Sequence, residues 1–448
     1  MDQKILISAV VAVVALVIVS IIILNPSEDR EISPLDGGPV DEHGCIGSAG
    51  ETWCEAKNKC IFPWVESCGM ENSSLNETKV SDIVSANNEF AMDIYKELST
   101  DAGNLFFSPL SLETALSMTY EGARGTTAEE MQSVLHVPAD ENVRLEGFEE
   151  LMTYMNSGSD DYKLSIANAV WAQKDFPFLD SFLSIVRDSY QSKVENLDFI
   201  GDTEGSRQTI NTWVEDETND RIKDLIPPEV LTLDTRMVLT NAIYFKGDWA
   251  IQFKEENTRD SDFTTGDGSV VTAPMMFQSD ESFEYGQTDD LQALKLPYKG
   301  RELSMFVLLP KGDISELEAS LSSAFVSDIL SRMYEKELPV YLPKFKLETK
   351  YFLTNTLSEM GMPTAFGMAA DFSGMDGKED LYISAVIHQA FVEVNEEGTE
   401  AAAATAVVMA LKGMGTPTEF RADHPFIFMI MDDTSGAILF AGRVDNPL

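Results

Sequence analysis

Side chains able to do catalytic chemistry are sparse and scattered in this 448-residue chain. Its four histidines, His43, His136, His388 and His424, lie far apart and form no His-Glu-x-x-His pair. No phosphate loop, dinucleotide fingerprint or Gly-x-Ser-x-Gly elbow occurs. The four cysteines, Cys45, Cys54, Cys60 and Cys68, share one 24-residue window. Their spacings of nine, six and eight, without a Cys-x-x-Cys pair, suit a zinc site poorly. An even, clustered set reads instead as a disulfide-stapled module with three possible pairings. The sequence calls for no metal and no cofactor, and it leans away from an enzyme.

The chemistry that remains is conformational. Glu396-Glu397-Gly398-Thr399-Glu400-Ala401-Ala402-Ala403-Ala404-Thr405-Ala406-Val407-Val408 starts as a strand, passes a glycine and becomes a run of small residues. Alanine favours helix and the β-branched pair favours strand, so the run has no fixed preference. Read as a strand, it places Thr399, Ala401, Ala403, Thr405, Val407 and Met409 on one uncharged face, with Glu400 on the other. Such a segment can be a loop in one state and a sheet strand in another. An Ala-rich surface helix or a plain linker is the simpler alternative. Three polar residues, Ser111, Asn241 and His388, sit inside apolar strands or helix starts. There they are costly unless every hydrogen-bond partner is matched.

The elements that must position these residues are legible in outline. A capped helix is expected over Ser81–Leu98, and Ser108-Pro109 opens a second, with proline at the tolerated first turn. Strands are expected at Leu164–Gln173, Met237–Lys246, Leu303–Leu309, Val340–Lys346, Ala385–Val394 and Pro425–Met431. Helices and strands mix without a βαβ beat or an internal repeat, which implies an α+β fold.

The amino-terminal part differs. Ile5–Leu24 is an unbroken apolar or small run, long enough to span a bilayer as a helix, with a cleaved signal peptide as the alternative. The expected organisation is an anchor or uncleaved signal over 1–24, a linker over 25–44, the cysteine module over 45–69, a second linker over 70–79 and a large domain over 80–448. The second linker carries two glycosylation sequons, at Asn72 and Asn76. A net charge of -43 argues against nucleic-acid or polyanion partners, which need clustered Lys and Arg.

Several motifs, in order, resemble the serpin family over about Val80–Leu448. They are Asn104-Leu-Phe-Phe-Ser108-Pro109-Leu-Ser111; Asn211-Thr-Trp213-Val-Glu-Asp-Glu-Thr218-Asn219; and Asn241-Ala-Ile-Tyr-Phe245-Lys246-Gly247-Asp-Trp249 with Phe253. The carboxy-terminal pair is Asp423-His-Pro425-Phe426-Ile-Phe428 and Gly442-Arg443-Val444-Asp-Asn-Pro447. The resemblance implies three β-sheets, eight or nine helices and an exposed reactive loop. It casts Glu397, Gly398, Thr399, Glu400 and Ala401, Ala402, Ala403 and Ala404 as the hinge of that loop. Ser108, Ser111, Asn241 and His388 become a polar network under the opening sheet, and Trp249 sits at the top, where the loop enters.

The family's count from the hinge glycine places the reactive bond at Lys412-Gly413, fourteen residues after Gly398. Lys412 is the only basic residue between Gly398 and Arg421 and suits the acid-floored pocket of a trypsin-like protease. Leu411, Met409 and Met414 leave chymotrypsin-, elastase- or subtilisin-like targets open, since Gly413-Met414-Gly415-Thr416-Pro417 is longer than the family's usual segment. The implied function is irreversible trapping of a serine protease by a monomeric, membrane-anchored or secreted inhibitor outside the cytoplasm. A non-inhibitory binding or chaperone-like serpin and a cysteine-protease inhibitor are the alternatives.

Overall fold

The computed structural model describes residues 52–54, 59–61, 77–279, 281–399 and 418–448. The expected anchor, the first linker, residues 70–76 of the second, Cys45, Cys68, Asn72 and Asn76 lie outside them, whereas residues 77–79, expected as linker, are helical. The chain divides into two compact units, Met1–Ser74 and Leu75–Leu448. In the first, Thr52–Cys54 pairs antiparallel with Lys59–Ile61, setting Trp53 opposite Cys60 and Cys54 opposite Lys59.

The second unit holds three sheets. The most buried is seven-stranded and includes Leu303–Pro310, Phe426–Asp432 and Ile438–Val444, in each of which every residue is buried. Continuous apolar runs are what a strand covered on both faces requires. A four-stranded sheet joins Phe420–Arg421, Val340–Pro343, Val270–Gln278 and Arg259–Thr264. Ten α-helices occur among the described residues, more than the eight or nine expected, because short turns such as Ser373–Asp376 add to the count.

The third sheet carries the site. Its strands are β1 (Tyr162–Gln173), β2 (Lys193–Leu197), β3 (Met237–Asp248), β4 (Phe345–Phe352), β5 (Ile387–Val394) and β6 (Gly398–Thr399), in the spatial order β4-β5-β6-β3-β1-β2. β1 and β3 pair antiparallel along almost their whole length, from Tyr162 opposite Gly247 to Ala172 opposite Met237. β4 and β5 do likewise, from Phe345 opposite Val394 to Phe352 opposite Ile387. The single strand expected over Val340–Lys346 is two, broken at Lys344, so Val340–Pro343 belongs to the four-stranded sheet and β4 to this one. Proline ends the first ladder because it lacks an N–H.

Helix α1 (Glu77–Leu98) starts four residues earlier than expected. Helix α2 (Pro109–Tyr120) begins as read: the Ser108 side chain caps it by accepting from the Ser111 N–H, and nearly all of it is buried. Helix α3 (Thr203–Glu217) covers the outer face of the third sheet through Ile210 and Val214, which pack with Ala169, Trp171 and Phe199.

Candidate functional site

Among the described residues, the two halves of the third sheet, β4-β5 and β3-β1-β2, are joined only through the two residues of β6. Among the described residues no ladder links β5 to β3 directly. At its top this seam is closed; lower down it is a cleft.

The top is built by a tight reversal after β5. The Asn395 side-chain oxygen accepts from the N–H groups of Glu397 and Gly398, at 3.1 and 3.3 Å, and the Asn395 N–H donates to the Gly398 carbonyl at 3.0 Å. An Asn side chain capturing backbone N–H groups two and three residues on is what turns the chain. The chain then re-enters the sheet. Thr399 pairs with Val394 on one side and Gly247 on the other, and Gly398 pairs with Asp248. The backbones approach so closely that a Cβ on Gly398 would lie 2.1 Å from the Gly247 carbonyl oxygen. Only glycine fits there.

Aromatic and charged groups hold the reversal. The Trp249 ring stacks on Tyr298, with centroids 4.7 Å apart, and its indole N–H donates to the Asn395 carbonyl at 2.9 Å. The backbone N–H groups of Trp249 and Phe253 donate to the carbonyls of Glu397 and Glu396, at 2.7 and 2.9 Å. Thr399 is buried, and its hydroxyl lies 2.7 Å from that of Tyr298. Burial pushes the Tyr298 phenol up, an effect only softened by the Thr399 contact, so it stays neutral. Glu396 is buried beside Lys344 Nζ, 2.8 Å away, and accepts from Thr258 at 2.7 Å. Burial alone would raise its pKa; the Lys344 and Thr258 bonds outweigh that and leave it below the usual value.

Lower down, Ser111, Asn241 and His388 line one cleft of about 610 Å³, with Leu112, Leu116 and Leu239 among its apolar walls. They do not form one hydrogen-bonded trio. His388 Nε2 accepts the Ser108 N–H at 3.0 Å, and the Ser108 hydroxyl donates to the Leu439 carbonyl at 2.7 Å and accepts from the Ser111 N–H at 3.2 Å. Asn241 turns the other way and donates from its amide nitrogen to Asn168 on β1. The reason is geometric: Asn241 and His388 stand on β3 and β5, on opposite sides of the seam. The Asn241 amide oxygen is left buried without a partner. His388 is buried, which lowers its pKa to about 3 and keeps it neutral. Since its Nε2 accepts, the ring proton sits on Nδ1.

Glu400, Ala401, Ala402, Ala403, Ala404, Lys412 and Gly413 lie outside the described residues. Sequence reasoning missed Asn395, Tyr298, Lys344 and Asn168, and took Glu396 only as the start of the loop segment. Asn168 carried a usable signal, since it interrupts an apolar strand just as Asn241 does. Asn395 directly precedes the segment already singled out, whereas Tyr298 and Lys344 come from other strand ends, and no local pattern in the sequence groups them with it.

The family model for serpins (serine protease inhibitors) matches residues 85–447. The chain belongs to the serpin family. A serpin-like protein of Thermococcus kodakarensis is 44% identical over 378 residues, 83% of this chain and 88% of the other. Human Serpin B4 is 40% identical over 386 residues, 81% of this chain and 98% of its own length. Among solved structures, uncleaved ovalbumin superposes with a TM-score of 0.72 at 32% identity, covering 82% of this serpin and all of ovalbumin. A loop-inserted, cleaved ovalbumin mutant gives 0.73 at 31%, with the same coverage. Overall likeness does not separate the two loop states; the seam is the informative feature. As a serpin, the chain falls among protease inhibitors and not among proteases.

Proposed function

We propose that this serpin is an irreversible suicide-substrate inhibitor of a trypsin-like serine protease acting outside the cytoplasm. The observation that carries the reading is the two-residue strand β6, paired on both sides at the head of a seam that, among the described residues, has no other pairing across it. A strand already seated between β5 and β3 is a template on which the residues after Thr399 can continue, gaining ladder hydrogen bonds and buried side chains.

In the proposed mechanism the protease serine attacks the Lys412 carbonyl, the Lys412–Gly413 bond breaks and an acyl-enzyme forms. Release of that bond frees the segment from Thr399 to Lys412 to enter the seam, antiparallel to both neighbours. The attached protease is carried along and its site distorted; a misplacement of about 1 Å costs roughly 100-fold in rate, so deacylation stalls. The small, uncharged face of Thr399, Ala401 and Ala403 suits rapid entry. Ile5–Leu24 would hold the inhibitor at a membrane, with the cysteine module disulfide-bonded and Asn72 and Asn76 available for glycosylation.

The test is incubation of the detergent-solubilised full chain with trypsin, read by denaturing gel and mass spectrometry. A stable covalent band and a released peptide starting at Gly413 are expected. Cleavage without a band would leave a substrate-like, non-inhibitory serpin. No cleavage at Lys412 would move the reactive bond to Leu411 or Met414 and the target to chymotrypsin- or subtilisin-like enzymes.

A further inference from the structure

His424 is held at both ends of its ring. It lies where the chain passes from the strand Phe420–Arg421, in the four-stranded sheet, to Phe426–Asp432, in the seven-stranded one. Its Nδ1 lies 2.9 Å from the Asp423 carboxylate, and its Nε2 lies 2.7 Å from the Pro310 carbonyl, at the end of Leu303–Pro310. A carboxylate oxygen and a carbonyl oxygen both accept. Both ring nitrogens must therefore donate, which only the protonated imidazolium can do. His388 is the opposite case: it accepts the Ser108 N–H and stays neutral.

The strand before His424 is short. Phe420–Arg421 pairs with Val340 and Tyr341 over two residues, at the edge of its sheet. The residues between the two sheets add fixed points. The Asp423 carbonyl accepts from the Thr264 N–H at 2.9 Å, and the Ala422 N–H donates to the Tyr341 carbonyl at 3.0 Å. The charged groups nearby have partners of their own. Arg421 lies 3.5 Å over the Tyr341 ring and pairs with Glu419. Lys311, next to Pro310, gives its ammonium to the Thr288 carbonyl at 2.6 Å. Among the described residues, Asp423 is the charge that acts on the imidazole. Its bond raises the His424 pKa above the usual value, burial opposes the rise, and the Pro310 bond adds to it.

We propose that protonated His424 is a pH-sensitive clamp that ties Asp423, just after the strand Phe420–Arg421, to the end of Leu303–Pro310, and that loss of its proton releases one of the two ties. The inference is independent of the insertion mechanism and of the target protease. The neutral ring can donate to only one acceptor, so the other is left facing a lone pair. The edge strand Phe420–Arg421 then loses one of its supports. The direction follows from linkage. A histidine free of these bonds protonates at about pH 6.5. Because the folded value is higher, the clamp is complete below about pH 6.5 and is lost as pH rises through the folded value.

The test uses the full chain in detergent. Imidazole nitrogen NMR follows the four histidines across the neutral pH range, with single substitutions by glutamine at His43, His136 and His424 assigning the signals. The wild-type His424 ring should titrate above about pH 6.5 and bear protons on both nitrogens below it. Amide exchange of Phe420, Arg421 and Ala422 is then measured at about pH 6 and about pH 9 and corrected for intrinsic rates. Wild-type protection should fall about ten-fold, the worth of roughly one hydrogen bond to a charged group. In His424→Gln it should be lower at the acid end and change little with pH, while amides of Ile438–Val444 stay protected in both proteins. A His424 signal titrating at or below about pH 6.5 would overturn the clamp. Equal wild-type protection at both pH values would do so too, as would the same fall in His424→Gln as in the wild type.

Discussion

The two ends of one seam differ in almost every physical respect. At the top, Trp249, Tyr298, Asn395, Glu396 and Thr399 form a closed cluster of a ring stack, an ion pair from buried Glu396 to the partly exposed Lys344, and matched hydrogen bonds. Below, Ser111, Asn241 and His388 line an open cleft, and a buried amide oxygen has no partner. Buried polar groups are stabilising when matched and costly when not. The upper end is therefore where a strand is already seated, and the lower end is where further residues would gain most. On the insertion mechanism proposed above, a sheet built this way would fill from the top down.

The contrast can be broken from above. Thr399→Arg would bury a charge against the neutral Tyr298 hydroxyl with no counter-ion, a cost of about 3–5 kcal/mol for an uncompensated buried charge. The segment would stay out, and the inhibitor should be cleaved as a substrate with no covalent band on a gel. A persistent band from this variant would refute the entry route. Gly398→Val presses a side chain into the Gly247 carbonyl. Overpacking of this kind costs about 1–3 kcal/mol, and the ratio of complex to cleaved product should fall accordingly in a titration against trypsin.

Trp249→Phe sharpens the comparison more gently. The ring stack on Tyr298 can survive, but the indole hydrogen bond to the Asn395 carbonyl is lost, worth about 1 kcal/mol. The expected result in denaturant unfolding is a midpoint shift of that size, with complex formation slowed but present.

The lower end also carries a pH dependence. His388 is neutral when folded, with its pKa held near 3 by burial, whereas an unfolded histidine protonates near 6.5. The unfolded state thus binds a proton that the fold refuses. Stability from this group is complete above about pH 6.5 and falls as pH drops toward about 3, by at most about 1.4 kcal/mol per unit. His388→Gln should flatten that acid limb in unfolding measured from pH 7 to pH 4. An unchanged slope would mean that His388 is not the group responsible.

Much of the frame was legible in the sequence. Ser108-Pro109 announced the start of α2, and the alternation of β3 and β5 placed Asn241 and His388 inside apolar strands. Gly398 was readable as the point where a strand stops behaving like one. The reversal at Asn395 was not, because it depends on one side chain capturing two N–H groups while Trp249 and Phe253 pin the carbonyls between them. The strand read over Val340–Lys346 hid a change of sheet at Lys344, the residue that meets Glu396. The polar trio was expected as one network. Its division across the seam follows from which strands are paired, and periodicity along one strand carries no information about its partners.

Amide hydrogen exchange of the full chain, before and after cleavage at Lys412, tests the central claim most directly. Insertion predicts that amides of Met237–Asp248 and Ile387–Val394 facing the seam become strongly protected on cleavage, progressively down to the level of Asn241 and His388. Unchanged exchange in both strands after complete cleavage would contradict the account.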